Sequence, residues 1–303
     1  MKKVQVSNRK ILITGILGFT GMHLAKALAN LGGVVHGISR NIDATYGTAY
    51  IVHECDIKDL ESIKKVALHV QPEYVFHLAG DASNVGSAID KYNANIIGTE
   101  NILKAIIETN CPVRKVIIAS SASVYGDSQQ ECRETFSPEP LSHYGISKLG
   151  AEKIAQYYFN QIPIVITRPF NYTGPGQDER FLIPKIIKHF KLKKATIELG
   201  NINVLREFNS IEYVVDVYIK LVSSEVRSEV VNICSGSTYS ISQIISMLEA
   251  ITDQTINVLI NKDYVRKNEI LELKGSIQRL QSCIELNTQK NNLRRTLIQM
   301  LGT

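Results

Sequence analysis

The sequence predicts an α/β protein: a doubly wound parallel sheet with a smaller C-terminal lobe. Three observations predict it. Short, nearly all-apolar runs alternate with amphipathic stretches of helix length as far as Arg168. A glycine-rich loop, Gly15-Ile16-Leu17-Gly18-Phe19-Thr20-Gly21, joins the first apolar run to the first amphipathic stretch. After Pro169 the rhythm breaks, with Pro175, Pro184, Gly174 and Gly176 punctuating an irregular region. Strands that alternate with helices need crossover connections, and these lay successive strands in parallel.

Lys10 to Thr14 (KILIT) reads as a strand buried on both faces. A helix follows from about Thr20 to Leu31, then a second strand over Val34 to Ser39. Asp59 to Val70 is helical, and Tyr74 to Leu78 (YVFHL) is a third strand. Asn93 to Asn110 is helical, with Ile96, Ile97, Ile102, Leu103, Ile106 and Ile107 as its apolar positions. Lys115 to Ala119 is a fourth strand, Tyr144 to Asn160 a helix, and Pro163 to Arg168 a fifth strand. The dinucleotide-binding domain is assigned to residues 1–168, with the chain returning to it around 204–235. Residues 169–203 and 236–303 form the substrate lobe. The closing RRTLIQML stretch reads as a surface helix, and PKIIKHFKLKK (Pro184 to Lys194) as a solvated helix face.

Composition narrows the function. The 303 residues carry 34 Lys plus Arg against 29 Asp plus Glu, a net charge of +5 with no dense basic block. A nucleic-acid partner is not expected. The five cysteines, Cys55, Cys111, Cys132, Cys234 and Cys283, form no CxxC, which argues against a metal site or redox pair. Unpaired thiols and the lack of an N-terminal apolar stretch suit a soluble cytoplasmic protein, and no apolar run reaches the roughly 18 residues of a membrane span.

The glycine loop lies where a dinucleotide-binding (Rossmann) fold needs one. Glycines allow a tight turn and a close backbone approach to a pyrophosphate, and the free N–H groups at the helix start face the anion. Gly15, Gly18, Phe19, Thr20 and Gly21 are therefore cofactor candidates. The second strand ends in Ser39-Arg40, where an NAD enzyme would carry a carboxylate for the ribose 2′-OH. A guanidinium there grips a 2′-phosphate, so NADP(H) is the expected cofactor. Asp43 is a weaker candidate for the 2′-OH.

Tyr144 and Lys148 are four apart at the start of a helix and share one face. A phenol titrates near 10, and a lysine ammonium beside it would favour the phenolate and tune the pair for acid–base work. The fourth strand ends in Ser120-Ser121-Ala122-Ser123, at the carboxyl edge where such folds bind ligands.

Together these motifs resemble the extended short-chain dehydrogenase/reductase family of nucleotide-sugar epimerases, dehydratases and reductases. The likeness runs through TGILGFTG, CDIKD, FHLAG, NANIIGTENIL, SSASVYGD, YGISK, RPFNYTGPGQ, LREF and VNICSG. The resemblance implies that Ser121, Tyr144 and Lys148 are catalytic, with Tyr144 and Lys148 also meeting the cofactor. It implies Asp56 and Ile57 beside the adenine, and Leu78 and Ala79 under the diphosphate. Ser83, Ser121, Asn171, Arg206, Arg266 and Glu269 are the implied contacts of a nucleotide-diphosphate sugar. It also implies a homodimer through the helices starting near Asn93 and Tyr144.

Three chemistries of the family compete. A 4,6-dehydratase needs carboxylates directly after its catalytic serine or threonine, where this chain has Ala122 and Ser123. A 4-epimerase regenerates its own cofactor and usually holds NAD. A reductase consumes reduced cofactor, which suits Arg40. The pattern is most similar to GDP-4-keto-6-deoxymannose reductases, although Glu207 replaces their usual Asp after the LREF arginine. A non-enzymatic NADPH sensor on this fold is the remote alternative, since such proteins commonly lose the tyrosine or the lysine.

Overall fold

A computed structural model describes residues 6–42, 49–81, 87–128, 130–265 and 270–302. The first half of the chain runs β1 (Lys10–Thr14), α1 (Phe19–Asn30), β2 (Val34–Ser39), β3 (Ile51–Glu54), α2 (Leu60–Val70) and β4 (Tyr74–His77). It continues through α3 (Ala88–Tyr92), a π-helical turn over Asn93–Ile97, α4 (Gly98–Glu108), β5 (Lys115–Ala119), α5 (His143–Tyr157) and β6 (Ile164–Pro169). The second half holds β7 (Tyr172–Thr173), α6 (Leu182–Lys191), β8 (Thr196–Leu199), β9 (Leu205–Glu207), β10 (Asn209–Ser210), α7 (Ile211–Ser223) and β11 (Glu229–Ile233). It ends with β12 (Thr238–Ser240), α8 (Ile241–Thr252), β13 (Asn257–Ile260), β14 (Glu272–Leu273), α9 (Gln278–Cys283) and α10 (Leu293–Leu301).

The central sheet has seven strands among the described residues, in the order β11-β6-β5-β4-β1-β2-β3, and every pairing is parallel. Two of these strands were not among the five read from apolar runs. β3 is a half-exposed edge strand, and β11 arrives only after α7 has crossed back. Strand order reverses between β1 and β4, so their carboxyl ends splay apart into a crevice.

Burial on both faces explains the strand sequences. In β1, Ile11 and Ile13 pack with Leu24 and Leu28 of α1 and with Val214 and Tyr218 of α7. Leu12 faces the opposite side, among Ile63 and Val66 of α2 and Ile102 and Ile106 of α4. Lys115, buried at the start of β5, donates to the carbonyls of Leu221 and Ser224 at 3.0 and 2.5 Å. Its ammonium thus sits on the negative end of α7 and fastens that helix to the sheet.

A separate core joins α6, α8, α10 and β8 through Ile183, Ile187, Phe190, Ile244, Leu248 and Leu297. The closing helix differs from the expected surface helix: Leu293, Leu297, Met300 and Leu301 bury one face of α10 in this core. Among the described residues, no helix is long and apolar enough to cross a membrane.

Two buried histidines make stability depend on pH. His36 shares a 3.0 Å hydrogen bond with His53, and burial lowers it to about 4. Burial likewise lowers His77 to about 3, with the Lys148 charge adding to the effect. The unfolded chain protonates such groups at about 6.5, so their contribution is complete above that pH and is lost as pH falls toward 4. Urea unfolding at pH 5 should show about 2 kcal/mol less stability per histidine than at pH 7.5. A flat profile between these values would contradict neutral histidines in the native state.

Candidate active site

The crevice at the strand reversal is built from backbone brought unusually close. Gly15 has a φ of +70°, and a Cβ there would lie 3.0 Å from the Ala79 backbone. At Gly21 a Cβ would lie 2.2 Å from Gly15 O, so α1 can pack on the loop only through a glycine. Gly18 begins α1 without a side-chain cap, leaving the amides of Phe19 and Thr20 at the positive end of the helix. This cradle fits a dinucleotide pyrophosphate.

A chain of hydrogen bonds ties the two sides of the crevice together. Thr99 donates to Asn95 O at 2.6 Å, so its oxygen accepts from His77 Nε2 at 3.1 Å. The neutral His77 then accepts at Nδ1 from Thr14 Oγ1, 2.8 Å away, and Thr14 in turn accepts the Ala79 amide at 3.1 Å. Each group has one partner of the right kind, which fixes the tautomer of His77. Leu78 and Ala79 thereby lie directly against the glycine loop.

Ser121, Tyr144 and Lys148 meet at the end of β5. Ser121 caps a short 3₁₀ turn, accepting from Ser123 N and donating to Ser123 Oγ, both at 3.1 Å. Ser142 caps α5 by accepting from Gly145 N at 3.0 Å. A Cβ at Gly145 would lie 2.6 Å from Ser123 O, so the glycine of YGISK lets the helix reach the serine turn. Lys148 Nζ donates to Ala119 O at 2.8 Å.

The electrostatics differ from the expectation drawn from spacing. Burial raises the Tyr144 phenol to about 12, against the opposing pull of a hydrogen bond with Ser121. Burial lowers Lys148 to about 8, although the Glu152 carboxylate draws it the other way. Withdrawal from water outweighs the Ser121 hydrogen bond, so Tyr144 holds its proton through the neutral range.

Three further residues support the site and were not singled out from sequence. Asn95, in the π-helical turn, donates to Ser147 Oγ at 2.8 Å and accepts from Asp81 N at 2.9 Å. Ser147 donates to Tyr144 O at 2.7 Å, so the Asn95 side chain links the loop after β4 to α5. Glu152 binds Arg168 through two hydrogen bonds of 2.9 and 2.7 Å and accepts from Ser120 Oγ at 2.5 Å. Tyr144, Lys148 and Glu152 repeat every four residues, so the spacing placed Glu152 on the same face as the pair. An arginine ending the apolar run PIVITR was the matching signal.

The remaining candidates are spread more widely. Ser39 ends β2 and the exposed Arg40 follows it. Asp56 is half-buried and Ile57 buried, with Asn101 donating to Ile57 O at 3.0 Å. Asn171 is exposed at the end of β6, and its carbonyl accepts from Asn209 N at 2.9 Å. Arg206 donates to the carbonyls of Leu205 and Ile270 at 2.8 and 2.5 Å, so here its guanidinium holds the chain leading into β14. Glu207 is buried and accepts from Ser235 N, Asn209 Nδ2 and Gly275 N. Asp43, Ser83, Arg266 and Glu269 lie outside the described residues. Among the described residues, no group of three or more His, Cys, Asp or Glu could hold a metal ion.

Comparison with known proteins agrees with this geometry. Residues 11–234 match the model of the NAD dependent epimerase/dehydratase family. The chain is 32% identical to a GDP-6-deoxy-D-talose 4-dehydrogenase of Aggregatibacter actinomycetemcomitans, over 96% of this chain and 95% of that one. It is 27% identical to a GDP-6-deoxy-D-mannose reductase of Pseudomonas aeruginosa, over 90% of each. A candidate epimerase of Burkholderia cenocepacia superposes with a TM-score of 0.92 at 34% identity, covering 98% of both chains. MoeE5 with UDP-glucuronic acid and NAD gives 0.87 at 26% identity, over 97% of this chain and 98% of that one. RMD of Pseudomonas aeruginosa with NADPH gives 0.82 at 25% identity, with the same coverage.

The buried ion pair gives this site a direct test. Glu152→Gln leaves Arg168 charged and 97% buried without its counter-ion, since Arg168 is only 3% exposed. Breaking one side of such a pair should lower stability by about 3–5 kcal/mol, read from urea midpoints. A loss under about 1 kcal/mol would show that the carboxylate is dispensable there.

Proposed function

The chain belongs to the NAD dependent epimerase/dehydratase family, within the extended short-chain dehydrogenases/reductases, and from that premise we propose an NADPH-dependent reductase of a nucleotide-linked 4-keto-6-deoxyhexose. GDP-4-keto-6-deoxymannose is the first substrate to test. The observation that carries this reading is the serine turn. Ala122 is buried and apolar, and Ser123 accepts from Ser121, so no carboxylate follows the catalytic serine. The relatives named for GDP-6-deoxy-D-talose and GDP-6-deoxy-D-mannose support a GDP-linked 6-deoxyhexose. A 4-dehydrogenase and a 4-keto reductase run one hydride exchange in opposite directions. Talose and mannose differ at C4, so the face of the ketone that takes hydride decides the product.

Reduced dinucleotide, when bound, supplies that hydride. Tyr144 donates its phenolic proton to O4 of the sugar as negative charge builds there. Ser121 offers its hydroxyl to the same oxygen. The Lys148 ammonium stabilises the phenolate left behind and loses that ability as pH rises through about 8. Residues 169–203 and 236–303 are proposed as the lobe for the sugar nucleotide, with Asn171, Arg206, Arg266, Glu269 and Ser83 as contacts. Ile89, Ile97, Ile146 and Tyr157 stand 67, 46, 44 and 77% exposed on α3, the π-helical turn and α5. This apolar surface supports a homodimer, which sedimentation at micromolar concentration would read, and the enzyme is placed in the cytoplasm.

Incubation with GDP-4-keto-6-deoxymannose and deuterated NADPH should leave deuterium at C4 of the sugar. Tyr144→Phe should lower turnover by about 10²–10⁴ while cofactor binding persists. A 4-keto product from GDP-mannose would overturn the reductase reading in favour of a dehydratase. Interconversion of UDP-glucose and UDP-galactose without net NADPH loss would replace it with an epimerase.

Arg40 carries the cofactor preference. A hydrogen bond to a charged group contributes about 1.5–3 kcal/mol, so Arg40→Ala should weaken NADPH about 10- to 100-fold and leave NADH almost unchanged. Equal losses for the two cofactors would remove the 2′-phosphate role.

A further inference from the structure

The segment that leaves β6 crosses the mouth of the glycine loop and is fastened to α1. Tyr172 Oη and Thr20 Oγ1 are 2.7 Å apart, joining positions 152 residues apart in sequence. The Tyr172 ring lies nearly parallel to that of Phe19, with centroids 6.0 Å apart and planes 13° from each other. One turn along α1, His23 Nε2 donates to Pro175 O at 2.9 Å. From behind, a Cβ at Gly174 would lie 2.4 Å from Ile211, so this strap of residues 172–175 is pressed close against α7.

The position of these contacts matters more than their number. Phe19 and Thr20 are the first two residues of α1, and their amides face the loop opening. Tyr172 is also close enough to Tyr144 for charge on one to resist ionisation of the other. Tyr172 thus touches the start of α1 and lies near Tyr144, the proposed proton donor. A dinucleotide reaching from the loop to Tyr144 and Lys148 would run beside it.

We propose that Tyr172 is a positioning residue for the dinucleotide: its hydrogen bond to Thr20 closes the 172–175 strap over the bound cofactor and slows its release. This rests on the reading that the glycine loop binds NAD(P)H, and it is independent of the sugar. The bond joins two neutral hydroxyls across the crevice, so deleting one hydroxyl opens the strap without emptying a core position.

Stopped-flow NADPH fluorescence on the full chain, without any sugar, tests this. Tyr172→Phe should raise the NADPH dissociation rate about three- to tenfold, the value of one neutral hydrogen bond. Thr20→Val should act alike, and the double variant Tyr172→Phe/Thr20→Val should be no faster than either single one. Thermal midpoints of the cofactor-free variants check that the fold is kept. An unchanged dissociation rate in Tyr172→Phe, a change confined to association, or additive single effects would overturn the strap. A wild type that binds neither NADPH nor NADH would instead overturn the cofactor reading, and the strap with it.

Discussion

The whole site depends on how closely β1 and β4 end beside each other. Strand order reverses between them, and the reversal leaves a crevice at their carboxyl ends. Gly15 can turn there only because it lacks a Cβ, which would press on the Ala79 backbone. The hydrogen-bond chain from Ala79 through Thr14, His77 and Thr99 to Asn95 then locks both strand ends and the π-helical turn into one unit. His77 must stay neutral for that chain to close, and burial keeps it so. The pyrophosphate cradle and the placement of α5 both follow from this join.

A second constraint lies beneath the serine turn. Glu152 and Arg168 are charged residues withdrawn from water, and each is tolerable only because the other is present. The pair holds Ser120 on one side, and the Arg168 guanidinium lies 4.7 Å from the centre of the Tyr125 ring on the other. Its carboxylate also opposes the loss of charge on Lys148. A polar platform of this kind ties β5, β6 and α5 together beneath Tyr144 and Lys148. Glu207 plays a similar part at the end of β9, where its carboxylate gathers the Ser235 and Gly275 amides.

These features bear on the direction of chemistry. A phenol held near 12 gives up its proton only when a stronger base forms beside it, as the oxygen of a ketone becomes when hydride arrives. A lysine held near 8 is charged through the neutral range and able to receive the resulting phenolate. On the proposed reading that combination suits reduction at neutral pH, and Ala122 and Ser123 offer no carboxylate for the dehydratase alternative.

Most of the sheet and the Tyr144–Lys148 pairing on α5 were legible in the sequence. Period and apolarity marked the buried strands, glycine spacing marked the loop, and a four-residue interval put Tyr144 and Lys148 on one helix face. Those are local properties, set by backbone geometry over a few residues. β3 escaped because an edge strand is buried on neither side well enough to show a pattern, and β11 because its partner β6 lies far away in sequence. The ionisation of Tyr144 and Lys148 was decided by tertiary structure, since desolvation depends on everything packed around a group and not on its neighbours in the chain. The same holds for Arg206, which meets the carbonyl of Ile270, and for Tyr172, which meets Thr20 from the far side of the crevice. Contacts between residues so distant in sequence exist only once the sheet has folded and brought its strand ends together.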